Sequence, residues 1–315
     1  MLCMAVIAAN SVLWGEGTIR TIGRADGPLR ILQDQDIVGF YSGDRQLLEY
    51  RCTESPRKPY LSKLYSPAGV QILRDSPSDH KHHHALMFAL SADKVNFWEE
   101  NEAATGVERQ TSPGRSWQRS LEGVSSLGFT HELAWMDLRS GKPLLTERRT
   151  VEFLPAEDIP ATLLTWRSRL APATAGRSVE LGGAHYFGLG MRFVESMDTG
   201  GQFLNSEGAE GELVRGSERL TPAHWAAYYA AVDGRLVTVA LFDHAANLRH
   251  PARMFTMSTP FACLAATLNL WKEPWILGEG KPLELSYGVA LWDGRIDAKQ
   301  IGVLYRRWLD LALEK

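Results

Sequence analysis

The chain has 315 residues, of which 44% are hydrophobic and 23% charged, with a formal net charge of -3. That composition can fill one large all-β domain or two ordinary ones and excludes wholesale disorder. No long basic stripe is present, which argues against nucleic acid as a partner.

The N-terminus reads MLCMAVIAANSVLWGEG. Its apolar run is too short to span a bilayer and resembles the core of a secretory leader, although no Lys or Arg precedes it. Residues 1–20 are therefore open between a clipped leader, with a periplasmic or secreted product, and a first strand of a cytoplasmic protein. No later segment reaches the ~18 uninterrupted apolar residues of a membrane helix. Residues 21–315 are read as a single domain. Of the three cysteines, Cys3, Cys52 and Cys263, none forms a CxxC pair, so zinc-finger and thioredoxin readings are out. Cys52 and Cys263 are open between a bridge and two buried thiols.

Short apolar stretches between turn residues predict strands at 46–50, 69–73, 145–154, 162–170 and 285–292. In the third of these, Arg149, Val151 and Phe153 share one side, and Thr150 and Glu152 the other. Ser140-Gly141 and Asp233-Gly234 mark hairpins. Residues 171–178 read as a loop. At the C-terminus, Ile301, Leu304, Tyr305, Trp308 and Leu311 fall on one helical face. Asp297 and Gln300 are spaced to cap that helix, with Ile296 and Ile301 as its staple. The expectation is an all-β fold, a large antiparallel β-sandwich with a C-terminal α-helix. Ten Trp and nine Tyr suit strands, and the same rings can stack on sugars.

Three elements carry candidate chemistry. In DHKHHHALMF, residues 79–88, an extended backbone would put His80, His82 and His84 on one side and His83 on the other. Such a cluster is open between a metal site, acid–base or substrate-binding groups, and a solvated loop. FDHAANLRHP, residues 242–251, places Asp243, His244, Asn247, Arg249 and His250 after a strand, where a β-scaffold presents a site or makes an Asx turn. AHYFGLGMRF, residues 184–193, has a Gly188-x-Gly190 without the helix of a dinucleotide fingerprint. Those glycines suit close strand packing or room for a ligand, with His185 and Arg192 facing it. His131 and His224 are read as hydrogen-bonded core histidines.

Together these elements resemble the methane oxygenase PmoA-like family over most of residues 55–310. The resemblance rests on Asp79, His80, His82 and His83, then Phe97-Trp98 and Glu99-Glu100, then Glu147, Arg149 and Thr150. It continues through Gly188, Gly190 and Arg192 to Asp243, His244, Asn247, Arg249, His250 and Pro251. Lys81, His84 and Ala85 depart from the family's usual proline, arginine and glycine. The resemblance implies a supersandwich like that of galactose mutarotases and a carbohydrate ligand; the sequence itself shows no membrane span, so the family's name is not taken as its activity.

If the chain is an enzyme, the expected chemistry is proton transfer on a sugar or keto-sugar, by epimerisation, elimination or hydrolysis. His82 or His83 would be the base, His244 or His250 its counterpart, and Arg249 or Arg192 the partner of the developing oxyanion. Asp243 or Glu147 would orient an imidazole, and Trp98 would stack on the ring. His80, Glu100, Arg149, His185 and Asn247 would complete the binding set. No cofactor is expected. One alternative is a metal-dependent hydrolase or oxygenase with His80 and His82 as ligands to a divalent metal. Another is a non-catalytic carbohydrate-binding module.

Overall fold

In the computed structural model, residues 20–22, 29–34, 36–52, 57–121, 124–155 and 159–313 are described. The candidate leader and Cys3 lie outside the described residues. Period-two alternation shapes the longest strands. In Lys142–Phe153, Leu145, Val151 and Phe153 are buried together with Glu147 and Arg149, while Thr146 and Arg148 face solvent.

Among the described residues the strands pair antiparallel in a sheet of eleven, a sheet of nine and a small sheet of four. The centre of the first runs Arg45–Arg51, Tyr60–Leu64, Leu86–Ala89, Gly188–Arg192, Cys263–Thr267 and Arg253–Met257. The centre of the second runs Val124–Asp137, Lys142–Phe153, Thr162–Pro172, Leu283–Asp293, Arg235–Asp243 and Trp225–Val232. The small sheet joins Trp275–Leu277, Val179–Gly182, Ser91–Ala92 and Val95–Asn96. The expected strand at 69–73 does not form, since that segment makes only isolated bridges, Gln71 to Tyr65 and Leu73 to Phe193. The Gln71 side chain instead takes up the backbone of Leu73, through Nε2 to its carbonyl at 2.8 Å. Asp233 and Gly234, at φ 49° and 81°, make the two-residue turn that both flanking strands require.

The two large sheets pack face to face over one apolar core. Phe88 meets Trp135 at 6.1 Å and Tyr50 meets Trp166 at 5.9 Å between ring centroids, each pair spanning the sheets. Inside this core Arg149 is 0% exposed and donates to Glu147, Glu108 and the Pro59 carbonyl. Trp135 and Ser168 donate to Glu147 as well. Gly188 lets two strands of the larger sheet approach, because a Cβ there would lie 2.1 Å from the Ala266 carbonyl oxygen. Cys52 and Cys263 are free thiols.

The helix Ala298–Leu313 covers the outer face of the nine-stranded sheet, setting Ile301, Leu304, Tyr305 and Trp308 on Phe242, Ala290 and Trp292. Its start matches the expected cap: Asp297 Oδ1 accepts from Gln300 N at 2.8 Å and Gln300 Oε1 from Asp297 N at 3.3 Å. Among the described residues, no helix is long and apolar enough to cross a membrane.

Candidate functional site

The histidine segment is folded by turns, not as a strand. Pro77 O accepts from His80 N at 3.0 Å, and His80 O from His83 N at 2.9 Å. Lys81 takes the second position of the latter turn, which proline also suits. Ala85 sits at φ 48°, so the turn beyond the cluster is kept with alanine, at a cost of about 1 kcal/mol. The expected extended pattern is thereby corrected. His80, His82 and His83 gather on one side, with His80–His83 centroids at 4.7 Å and His82–His83 at 4.5 Å. His84 turns inward and is 3% exposed. It lies between Asp75 Oδ1 at 2.9 Å and Glu100 Oε1 at 3.1 Å, and Glu100 also accepts from the buried Lys58.

The WEE segment is parted in the same way. Asn96 Oδ1 accepts from Trp98 N at 2.8 Å and Glu99 N at 3.1 Å, an Asx turn that fixes where these side chains go. Trp98 stacks on Phe187 at 5.1 Å and 10°. Glu100 points inside to Lys58 and His84, so its expected ligand contact is corrected to a structural one. Glu99 points outward, with Oε2 at 3.4 Å from His82 Nδ1.

These groups meet in a cleft of about 480 Å³. His80, His82, His83, Trp98 and Glu99 line it together with Tyr186, Glu218, Phe255 and Phe261. Burial, with Lys58 and His80 nearby, pushes the His82 pKa down to about 4. Burial and the two neighbouring histidines bring His83 down to about 2. Burial raises Glu99 against the pull of Lys58. The cleft therefore pairs a neutral imidazole with a carboxyl that holds its proton longer than usual. The His83 Nδ1 and Trp98 Nε1 atoms are buried with no partner in the protein.

The remaining expected residues are distributed differently. His185 Nε2 lies 3.0 Å from Glu218 Oε2 and so fixes a carboxylate of the cleft wall. Arg192 is 3% exposed and sits behind that wall, its guanidinium carbon 3.5 Å from the Phe261 centroid. Glu147 and Arg149 are enclosed in the sandwich core, out of any ligand's reach. No residue of 242–251 lines the cleft. There Asp243 accepts from Asn247 at 2.7 Å, Ala252 N at 2.8 Å and His250 at 2.7 Å. His250 Nε2 in turn lies 3.0 Å from Nδ1 of His224, which is exposed and not a core residue. His131 is buried against Tyr50, its Nε2 2.8 Å from the hydroxyl. His244 is buried edge-on to Trp308 with 5.7 Å between ring centroids, and its Nε2 has no partner in the protein. Arg249 donates to the carbonyls of Leu268 at 2.9 Å and Glu273 at 2.6 Å, pinning that loop. A single site formed by both histidine clusters is therefore corrected to two separate places.

Sequence reasoning missed Glu99, Tyr186, Glu218 and Phe261 as cleft residues. The Asn96-x-Trp98-Glu99 spacing carries an Asx-turn signal for the first, and Tyr186 adjoins His185. Among the described residues, no group of three or more His, Cys, Asp or Glu is placed to hold a metal ion.

Residues 38–306 match the sequence profile described as "Family of unknown function (DUF6807)". No curated protein matches the chain. Among solved structures, a candidate mutarotase from Salmonella typhimurium is similar at 12% identity and TM-score 0.44, over 88% of this chain and 97% of that one. An alpha-galactosidase from Lactobacillus brevis is similar at 6% identity and TM-score 0.46, over 90% of this chain and 40% of that one. A GH36 alpha-galactosidase from Geobacillus stearothermophilus, solved with raffinose, is similar at 12% identity and TM-score 0.40, over 88% and 40%.

Proposed function

The chain belongs to DUF6807, whose description names no activity, and from the cleft alone we propose that it performs acid–base chemistry on a sugar or keto-sugar. The observation that carries this reading is the His82–Glu99 pair, 3.4 Å apart in a cleft walled by aromatic rings. His82, with its pKa near 4, is an unprotonated acceptor at neutral pH. Glu99 is assigned as the proton donor beside it, and burial shifts its pKa upward, the direction a general acid needs. In an epimerisation His82 takes the proton from one face of the carbon next to the carbonyl and Glu99 returns one to the other face of the same carbon; in an elimination His82 takes that proton, the adjacent carbon–oxygen bond breaks and Glu99 protonates the departing oxygen. Arg215, on the same cleft and paired with Glu218 at 2.7 Å, is the cation nearest the role first expected of Arg192 or Arg249, facing the developing enolate. The half-buried ring of Tyr186 offers an apolar face to the substrate, while Trp98, 3% exposed and stacked on Phe187, backs it, so its expected stacking on the sugar is corrected to a supporting role. The PmoA-like resemblance rests on its motif residues and adds no activity to this reading.

The test is proton NMR in D₂O over a panel of sugars and keto-sugars. The expected result is solvent deuterium entering the substrate carbon, abolished in Glu99→Gln and His82→Gln. Exchange that survives both substitutions overturns the assignment. Turnover that is lost with a chelator and restored by a divalent metal would replace it with metal chemistry.

A further inference from the structure

Glu99 and Tyr186 line two clefts at once. Besides the one already described, both border a second of about 460 Å³. Its other walls include Lys94 and Asn96 on one side, Glu180 and Gly182 on the small sheet, and Trp271. The two lobes thus adjoin at Glu99 and Tyr186, the waist between them. From this juxtaposition we infer that the substrate is a glycoside of at least two rings, its second ring held in the lobe beside Trp271. This inference rests on the proposed sugar chemistry and names its substrate class.

Three features favour a second sugar ring over a purely apolar group. Lys94, Asn96 and Glu180 provide both donors and acceptors, as a neutral polyhydroxylated ligand needs. Trp271 is 37% exposed, with Lys272 Nζ 4.8 Å from its ring centroid, and a pyranose can cover the part of the ring left open. Its loop is anchored from behind by Arg249, which binds the carbonyls of Leu268 and Glu273 and holds the indole in place before a ligand arrives. With both lobes filled, the linkage between the rings crosses the waist, next to the carboxyl of Glu99.

The experiment is an array of defined mono-, di- and trisaccharides, followed by calorimetry on the best disaccharide and on its component monosaccharide. The disaccharide is expected to bind at least tenfold more tightly, and Trp271→Ala to cut that ratio about tenfold. Gly182→Leu is the second variant. A Cβ there meets nothing within 4 Å, so the new side chain fills the lobe without displacing the fold. It is expected to abolish the preference for the longer ligand. Equal affinity for the monosaccharide and disaccharide, or a preference unmoved by both variants, overturns the two-ring inference and leaves the sugar chemistry standing. A protein that binds no saccharide of the array loses both readings, which keeps the two failures apart.

Discussion

The segments 79–84 and 243–251 are built from the same residue types and end in opposite conditions. In the second, every oxygen of Asp243 has a donor, and Asn247 and His250 both spend hydrogen bonds on it. Those groups answer one another and close a loop at the end of a strand, while His244 Nε2, buried in the same segment with no partner, lines neither cleft. In the first, His82 and His83 are half-buried in a cleft, and His83 Nδ1 has no partner. A titratable cluster becomes a candidate site when the protein leaves its polar atoms unanswered at the wall of a cleft, not merely when it gathers or buries them. His84 makes the same point one residue away, because both of its nitrogens face carboxylates.

The largest effect that would sharpen this contrast is on turnover. Glu99→Gln keeps the shape of the cleft and removes the acid, so turnover should fall about 10²–10⁴-fold with ligand affinity largely kept. Full turnover in that variant would break the contrast from the cleft side. The next effect is on stability. Asp243→Ala leaves His250, Asn247 and the Ala252 amide without their acceptor, and should cost about 3 kcal/mol in urea unfolding. Turnover per folded molecule should not change. If turnover collapses while the protein stays folded, the second segment is functional too and the contrast fails. A smaller effect lies in the pH–rate profile. With His82 near pKa 4, its acidic limb should fall close to pH 4, where an ordinary histidine would place it near 6.5. A limb near 6.5 would return His82 to the role of a solvated bystander.

Much of this was legible in the sequence, and the failures have physical causes. The alternation at Arg149, Val151 and Phe153, the turn at Asp233-Gly234 and the cap at Asp297 are local signals, and local signals survived folding. Alternation also put Glu147 and Arg149 on the same side as Leu145 and Phe153. Side alone does not tell a ligand-facing charge from one neutralised in a core, and the partner that decides it, Glu108, lies 41 residues away. Glu99 and Glu100 are adjacent acids, and only the Asn96 turn decides which one reaches the cleft. Glu218 and Phe261 arrive from distant strand ends, so no spacing could have joined them to His82. The histidine segment was read as extended, but its backbone bonds at Pro77 and His80 bend it and change which rings are neighbours.

The subtlest consequence separates adjacent histidines by the sign of their effect on stability. Burial works against charge on His84, but its hydrogen bonds to Asp75 and Glu100 prevail and raise its pKa above 6.5. Its contribution is therefore complete below pH 6.5 and is lost as pH rises through the raised folded value. His82 is the reverse. Between pH 6.5 and about 4 the unfolded chain binds a proton there that the folded chain does not, so stability falls as pH falls. Thermal unfolding followed across pH should show His84→Gln flattening the loss on the alkaline side and His82→Gln flattening the loss on the acidic side. Each change should be a few degrees at most, since one titrating group sets it. If both variants flatten the same limb, the two rings share one environment and the parting of His84 from its neighbours is wrong.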